Sequence, residues 1–129
     1  MQKEIISTDK APRALGPYSA AVRMGDIIFT AGQIGIDPES NEMVGDTIED
    51  QTHRALKNLS AILDAAGSGL DHVVKTTVFL ADMGEFQRMN AVYAEYFTDK
   101  PPARSAVQAA ALPKGARIEI ECVAFKAAK

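Results

Sequence analysis

Two acidic residues near the end of the chain, Glu119 and Glu121, stand two positions apart in the alternating run Ile118-Glu119-Ile120-Glu121-Cys122-Val123-Ala124-Phe125. Residues i and i+2 of a strand share a face, which sets these carboxylates about 7 Å apart. A carboxylate so placed can position or deprotonate a water molecule. Arg104 lies on the preceding strand-like segment, Ala103 to Ala109. If the two segments pair across the turn Pro113-Lys114-Gly115, Arg104 falls near Glu119 and Glu121 on the same face, and a one-residue slip turns it away. In the favoured register a guanidinium fork converges with two carboxylates, and such a fork fits a substrate carboxylate bidentately. The plain alternative is a solvated sheet face with a structural cross-strand ion pair.

Other residues carry weaker signals. Asn90 lies on the apolar stripe Phe86, Met89, Asn90, Tyr93, Phe97. Buried there, it needs partners for its amide, as a bond to a loop or as a site residue. Tyr18 follows Gly16-Pro17 in an irregular segment, where packing is the ordinary role of a phenol. Gly32 and Gly35 open no helix and form no dinucleotide fingerprint; inside a strand they point to a bulge or a close backbone approach. Cys122 falls on the Ile118/Ile120 face and reads as a small buried hydrophobe. His53 and His72 are isolated, so a metal site has little support. No Ser-His-Asp ordering stands out.

The elements that must position these residues follow from periodicity. Gly25-Asp26 separates strand-like runs at Ala20 to Met24 and Ile27 to Ile34, as a hairpin with a left-handed turn would require. Asp46/Glu49 and Thr47/Asp50 both have capping-box spacing. Leu56, Leu59, Ile62, Leu63 and Ala66 then recur at helical spacing, with Gly67 where a C′ glycine belongs. The opposite side of that helix carries Glu49, His53, Lys57 and Asp64. His72 to Leu80 is β-branched and reads as a strand. A second helix follows the Phe86–Phe97 stripe, and Pro101-Pro102 ends it. Two strands, about Ala103 to Ala109 and Ala116 to Phe125, close the chain. The order is β-β-β-α-β-α-β-β, an α+β arrangement in which two helices cover one face of a six-stranded sheet. The uncovered face mixes carboxylates with Val123 and Phe125, as an oligomer interface with polar pockets would.

Composition bounds the function. The chain has 129 residues, 47% of them hydrophobic and 24% charged, which suits one globular domain spanning 1–129. Its net charge of -3 argues against a protein whose main task is gripping nucleic-acid phosphates. A single cysteine excludes an internal disulfide and a Cys-rich zinc site. No apolar run is long enough to span a membrane, and the first residues form no secretory signal, so a cytoplasmic protein is expected.

Four blocks now identify a resemblance covering nearly the whole chain: Gly16-Pro17-Tyr18-Ser19; Thr30-Ala31-Gly32-Gln33-Ile34; Val74 through Leu80; and Pro102-Ala103-Arg104-Ser105 running through Leu112-Pro113-Lys114-Gly115 to Ile118-Glu119-Ile120-Glu121. The sequence resembles the Rid family, the reactive-intermediate (enamine/imine) deaminases, also described as translation inhibitors or endoribonucleases. The resemblance implies a chorismate-mutase-like α+β sheet with two helices on one face. It also implies a homotrimer with three clefts between subunits, where Arg104 and Tyr18 would meet across a boundary. The implied activity is hydrolysis of 2-aminoacrylate and related 2-imino acids to 2-keto acids and ammonia, without metal or cofactor. Carried over by position, Arg104 would clamp the substrate carboxylate and Glu119 would activate water. Tyr18 and Asn90 would line the cleft, and backbone near Gly32 and Ala106 would contact substrate. Preferring Glu119 to Glu121 rests on the resemblance alone. Two departures matter: Ala106 replaces a cysteine common in the family, and Ala31 a common serine.

Three functions compete on these residues. An imine deaminase needs both Arg104 and Glu119. A non-catalytic binder of small carboxylates, such as 2-keto acids, needs Arg104 but has no use for a water-positioning carboxylate. A ribonuclease or translation inhibitor is disfavoured by the negative charge, the absence of a histidine pair and the lack of an aromatic platform beside a basic stripe.

Overall fold

In the computed structural model, which describes residues 2–127, Gly25 adopts a left-handed backbone with φ 60. That conformation closes the tight turn between β2 (Ala21–Met24) and β3 (Ile27–Thr30), whose register pairs Met24 with Ile27. The expected hairpin is therefore present. β1 (Lys3–Ile6) adds antiparallel to β2.

The first helix, α1 (Ile48–Ala65), starts at Thr47, whose Oγ1 accepts from the Asp50 amide at 3.1 Å. Of the two capping spacings in the sequence, the Thr47/Asp50 one is used. The helix ends in a Schellman arrangement: Gly67 is left-handed at φ 80, Ser68 N–H bonds the Leu63 carbonyl, and Gly67 N–H bonds that of Asp64. Leu56, Leu59, Ile62 and Leu63 are fully buried. β4 (Val73–Leu80) follows, then α2 (Phe86–Tyr96), β5 (Ala103–Gln108) and β6 (Ile118–Phe125). α2 stops at Tyr96, before the two prolines; Phe97 has already left helical geometry with φ -127. The prolines instead fix the extended entry to β5.

The sheet order is β1-β2-β3-β6-β4-β5, with β4 and β5 parallel and the other neighbours antiparallel. This corrects the hairpin expected for the last two strands. β6 inserts between β3 and β4, and β5 takes the outer side of β4. The reason is burial. β6 alternates between a fully apolar face and a mixed one and is as long as β4, eight residues each, so the two ladder along their length. The shorter β5 is largely exposed, which suits a sheet edge.

β3 runs parallel to β4 across the intervening β6, so α1 and α2 are both crossover connections that advance in the same direction along the sheet. Crossovers of one hand that advance one way lie on the same face. The core agrees: the buried residues of α1 and α2 form one cluster with Ile118, Ile120, Cys122 and Ala124 of β6. The result is the six-stranded mixed α+β sheet with two helices on one face that the sequence predicts. On the other face Phe29, Val107 and Phe125 remain exposed at 50%, 45% and 39%. No helix among the described residues is long and apolar enough to cross a membrane.

Candidate active site

The β3 ladder breaks after Phe29, which pairs with Val123, and resumes as a bridge between Gln33 and Ile120. Four steps on one strand match three on the other, so one residue bulges. The strand expected to continue to Ile34 therefore ends at Thr30. Thr30 Oγ1 fills the gap by accepting from the Cys122 amide at 3.0 Å. Just beyond, the bare Cα of Gly32 lies against Glu119: a Cβ built there would come within 2.7 Å of Glu119 Cγ and Cδ. The missing side chain is what makes room for the carboxylate. Gly35 is a second close approach, with the α1 backbone at Gln51 2.8 Å from where its Cβ would be. The loop joining β3 to α1 is pinned by fully buried Asn58, whose Nδ2 donates to the Ile34 and Ile36 carbonyls at 3.2 and 2.9 Å.

Glu119 is half-buried and lines a cavity of about 220 Å³ together with Tyr18, Gly32, Arg13, Leu15 and Lys114. Burial first, and the like charge of Glu121 second, hold its carboxyl above the ordinary carboxylate range. A carboxylate that gives up its proton reluctantly is a better base than a solvated one. The structure also separates the two acids: Glu119 faces the cavity, whereas Glu121 is exposed on the open sheet face. Tyr18 is exposed and sits in a loop turned by Gly16, whose carbonyl accepts from the Tyr18 amide at 2.9 Å.

Arg104 belongs to a different cluster. Its register partner on β4 is Thr76, which in turn lies opposite Cys122 on β6. Residues opposite one another share a face, so Arg104 is on the helix-covered side and Glu119 on the other. Two strand spacings and three residues along the ladder also separate them, on the order of 14 Å in the plane of the sheet. This overturns the expected convergence of Arg104 with Glu119 and Glu121, which required β5 to pair with β6. Instead Arg104 Nη1 donates to Asn90 Oδ1 at 2.7 Å. Its guanidinium lies over two rings, 4.7 Å from the Tyr93 centroid and 5.3 Å from that of Phe86. Tyr93 is fixed by a 2.7 Å hydrogen bond between its hydroxyl and Thr76 Oγ1. Asn90 is exposed, contrary to the buried position expected from the stripe; the buried asparagine is Asn58. Ala106, two residues beyond Arg104 on the same face of β5, is half-buried against the core.

The chain thus presents two separate clusters: Glu119, Gly32 and Tyr18 in one cavity, and Arg104, Asn90 and Ala106 at the β5 edge. The aromatic platform under Arg104 was legible only as core spacing. Phe86, Asn90 and Tyr93 lie on one helix face, but nothing local says that an arginine crosses it. Arg13 and Lys114 carry no motif that would have marked them as cavity residues.

The remaining candidates are placed elsewhere. Burial pushes the Cys122 thiol up to about 11, so it stays protonated and inert at neutral pH. His53 Nδ1 is bonded to the Tyr96 hydroxyl at 2.6 Å, and His72 pairs with Asp71. No group of three or more His, Cys, Asp or Glu converges among the described residues.

The Gly32 contact makes a sharp prediction. In Gly32→Ala the Glu119 carboxylate must rotate out of the cavity towards water. Because only the end of a flexible side chain has to move, stability should change by less than about 1 kcal/mol. The Glu119 titration, followed by carboxyl-carbon NMR, should move down to the ordinary range. An unchanged titration would show that the backbone, not the carboxylate, had yielded.

Three comparisons bear on this arrangement. The family model described as endoribonuclease L-PSP matches residues 8–126. A RutC family protein of Pyrococcus abyssi is 52% identical over 126 residues, covering 98% of this chain and 99% of that protein. The human 2-iminobutanoate/2-iminopropanoate deaminase is 51% identical over 124 residues, covering 96% of this chain and 90% of its own. Among solved structures, Escherichia coli TdcF with bound serine superposes with a TM-score of 0.91 at 40% identity, covering 96% of this chain and 99% of that one.

Proposed function

The chain belongs to the endoribonuclease L-PSP family, the Rid family, and from that premise we propose that it is a hydrolase of 2-imino acids and their enamine tautomers, such as 2-aminoacrylate. The observation that carries this reading is the carboxylate of Glu119, set in a cavity against a bare glycine backbone and poised above its ordinary proton affinity. A relative of 51% identity is named for deamination of two such acids.

In the proposed reaction Arg104 holds the substrate carboxylate through its fork, pre-oriented by Asn90 and the two rings. Glu119 takes a proton from water as the oxygen attacks the imine carbon. With the substrate as its iminium, a C–O bond forms while the C=N π electrons neutralise the nitrogen, giving a carbinolamine. Glu119 then returns its proton to the amino nitrogen, the C–N bond breaks to release ammonia as the carbonyl forms, and the hydroxyl proton passes through Glu119 to solvent. Neither metal nor cofactor is needed in this scheme. The imine already hydrolyses in water, so orientation and one general base supply the required acceleration. Water replaces the thiol that Ala106 lacks.

Because Arg104 and Glu119 lie on opposite faces of one sheet, we further propose that each site joins the Arg104 half of one copy to the Glu119 half of the next, in a homotrimer. The exposed apolar residues Phe29, Val107 and Phe125 support an interface on the open face. The enzyme would act in the cytoplasm on imines released there. The nuclease reading finds no support at the cavity, since His53 and His72 are engaged elsewhere.

An amino-acid oxidase generating 2-imino acids, with semicarbazide trapping of what remains, tests the activity directly. Loss of trapped imine with the protein present supports the reading. Unchanged loss, together with 2-keto acid binding, would point to the non-catalytic binder. Shared sites are tested by mixing. Arg104→Ala and Glu119→Gln subunits, each inactive alone and refolded together in equal amounts, should recover about a quarter of wild-type sites in randomly mixed trimers. Mixed trimers that remain inactive would sink the shared-site proposal.

A further inference from the structure

The Glu119 cavity holds two cations that the reaction above does not use. Arg13 and Lys114 both line it, and neither forms an ion pair among the described residues. Neither pairs with Glu119 within ion-pair distance. The backbone of Lys114 is also held in place. The residue follows Pro113 in a turn closed by the Ala116 amide on the Pro113 carbonyl at 3.0 Å, and its own backbone is left-handed at φ 56. Glycine would meet that backbone requirement without strain. Asn41, another polar residue lining the cavity, is left-handed as well, at φ 61. The cavity, about 220 Å³, is far larger than one attacking water, which occupies about 30 Å³. Room therefore remains for a substrate side chain beside two unneutralised positive groups.

We infer that Arg13 and Lys114 form a second anion-recognising wall, and that this chain favours 2-imino dicarboxylic acids, whose distal carboxylate reaches that wall while the proximal one goes to Arg104 of the neighbouring copy. This inference rests on the deaminase reading. Both side chains are exposed, yet two cations lining one cavity and meeting one distal carboxylate still discriminate for it over an alkyl chain. A long-range field alone would instead raise the capture of every anionic substrate alike.

The test compares imines made in situ by oxidases acting on aspartate or glutamate with those made from alanine or leucine. The wild type should show a higher kcat/KM for the dicarboxylic imines. In Arg13→Gln and in Lys114→Gln the dicarboxylic to monocarboxylic ratio of kcat/KM should fall by up to about fivefold, the worth of an exposed ion pair. Arg13→Glu should invert the preference. Inhibition by 2-oxoglutarate relative to 2-oxobutanoate gives a second readout and should shift in the same direction. If the wild type hydrolyses monocarboxylic imines and the ratio does not move in any variant, the inference is wrong and the deaminase reading stands. An equal fall for both classes would also overturn it, because the cations would then act only by steering. If the wild type hydrolyses neither class, the deaminase reading fails and this inference fails with it.

Discussion

Arg104→Ala should lower kcat/KM for 2-imino acids by about a thousandfold while leaving the fold intact. Removing one partner of a desolvated, hydrogen-bonded charge pair costs about 4 kcal/mol, and each 1.36 kcal/mol is about tenfold in rate. The fold should tolerate the change because Arg104 sits on an edge strand, where its contacts with Asn90, Phe86 and Tyr93 are worth about 1 kcal/mol. Arg104→Lys separates charge from geometry. The ammonium keeps the charge but loses the bidentate fork, so its rate should lie between those of wild type and alanine variant. The measurement is steady-state imine hydrolysis with a thermal melt of each variant. An alanine variant within twofold of wild type would rule out the carboxylate clamp.

Glu119→Gln should lower kcat by about 10²- to 10⁴-fold, the usual worth of a positioned general base. The pH profile carries further information. The active form is the carboxylate, so the rate falls as pH drops through the Glu119 pKa. Burial and the charge of Glu121 raise that value, so the acid limb should lie above the ordinary carboxylate value of 4.5. Glu121→Gln removes the second cause and should move the limb downward. The sign for stability is opposite to that for activity. A carboxyl raised in the folded state favours folding below its unfolded pKa and loses that contribution as pH rises through its folded pKa. At neutral pH the charged Glu119 is therefore a cost, and Glu119→Gln should melt no lower than wild type. A variant that is inactive and also markedly less stable at neutral pH would indicate that Glu119 is structural.

Much of the molecule was legible in local pattern. The 3.6-residue spacing of Leu56, Leu59, Ile62 and Leu63 announced α1, and Gly67 marked its end because only a left-handed residue completes that cap. The alternation from Ile118 to Phe125 marked which side of β6 is buried, since side chains on a strand point to opposite faces by turns. Gly32 and Gly35 were recognisable as points of close approach, and both are. The position of Arg104 was not legible. Adjacency in the chain suggested that β5 and β6 form a hairpin, and nothing in either segment shows that β6 pairs with β4 instead. Strand partners are selected by total burial across the sheet, which is a property of all six strands together.

Asn90 illustrates the same limit. Its place on the apolar stripe suggested burial, yet α2 lies along the β5 edge, where that side chain reaches solvent and Arg104. Periodicity defines a helix face but not which part of the sheet the face lies on. The sequence by itself determined the elements, their caps, the two-layer α+β class and the reactive residue types, because these follow from nearest-neighbour sterics and side-chain periodicity. Only the tertiary structure decided that Glu119 rather than Glu121 enters the cavity, that Arg13 and Lys114 share it, and that Arg104 faces away from it. Those facts depend on strand order, and strand order is set by long-range burial that no local window contains.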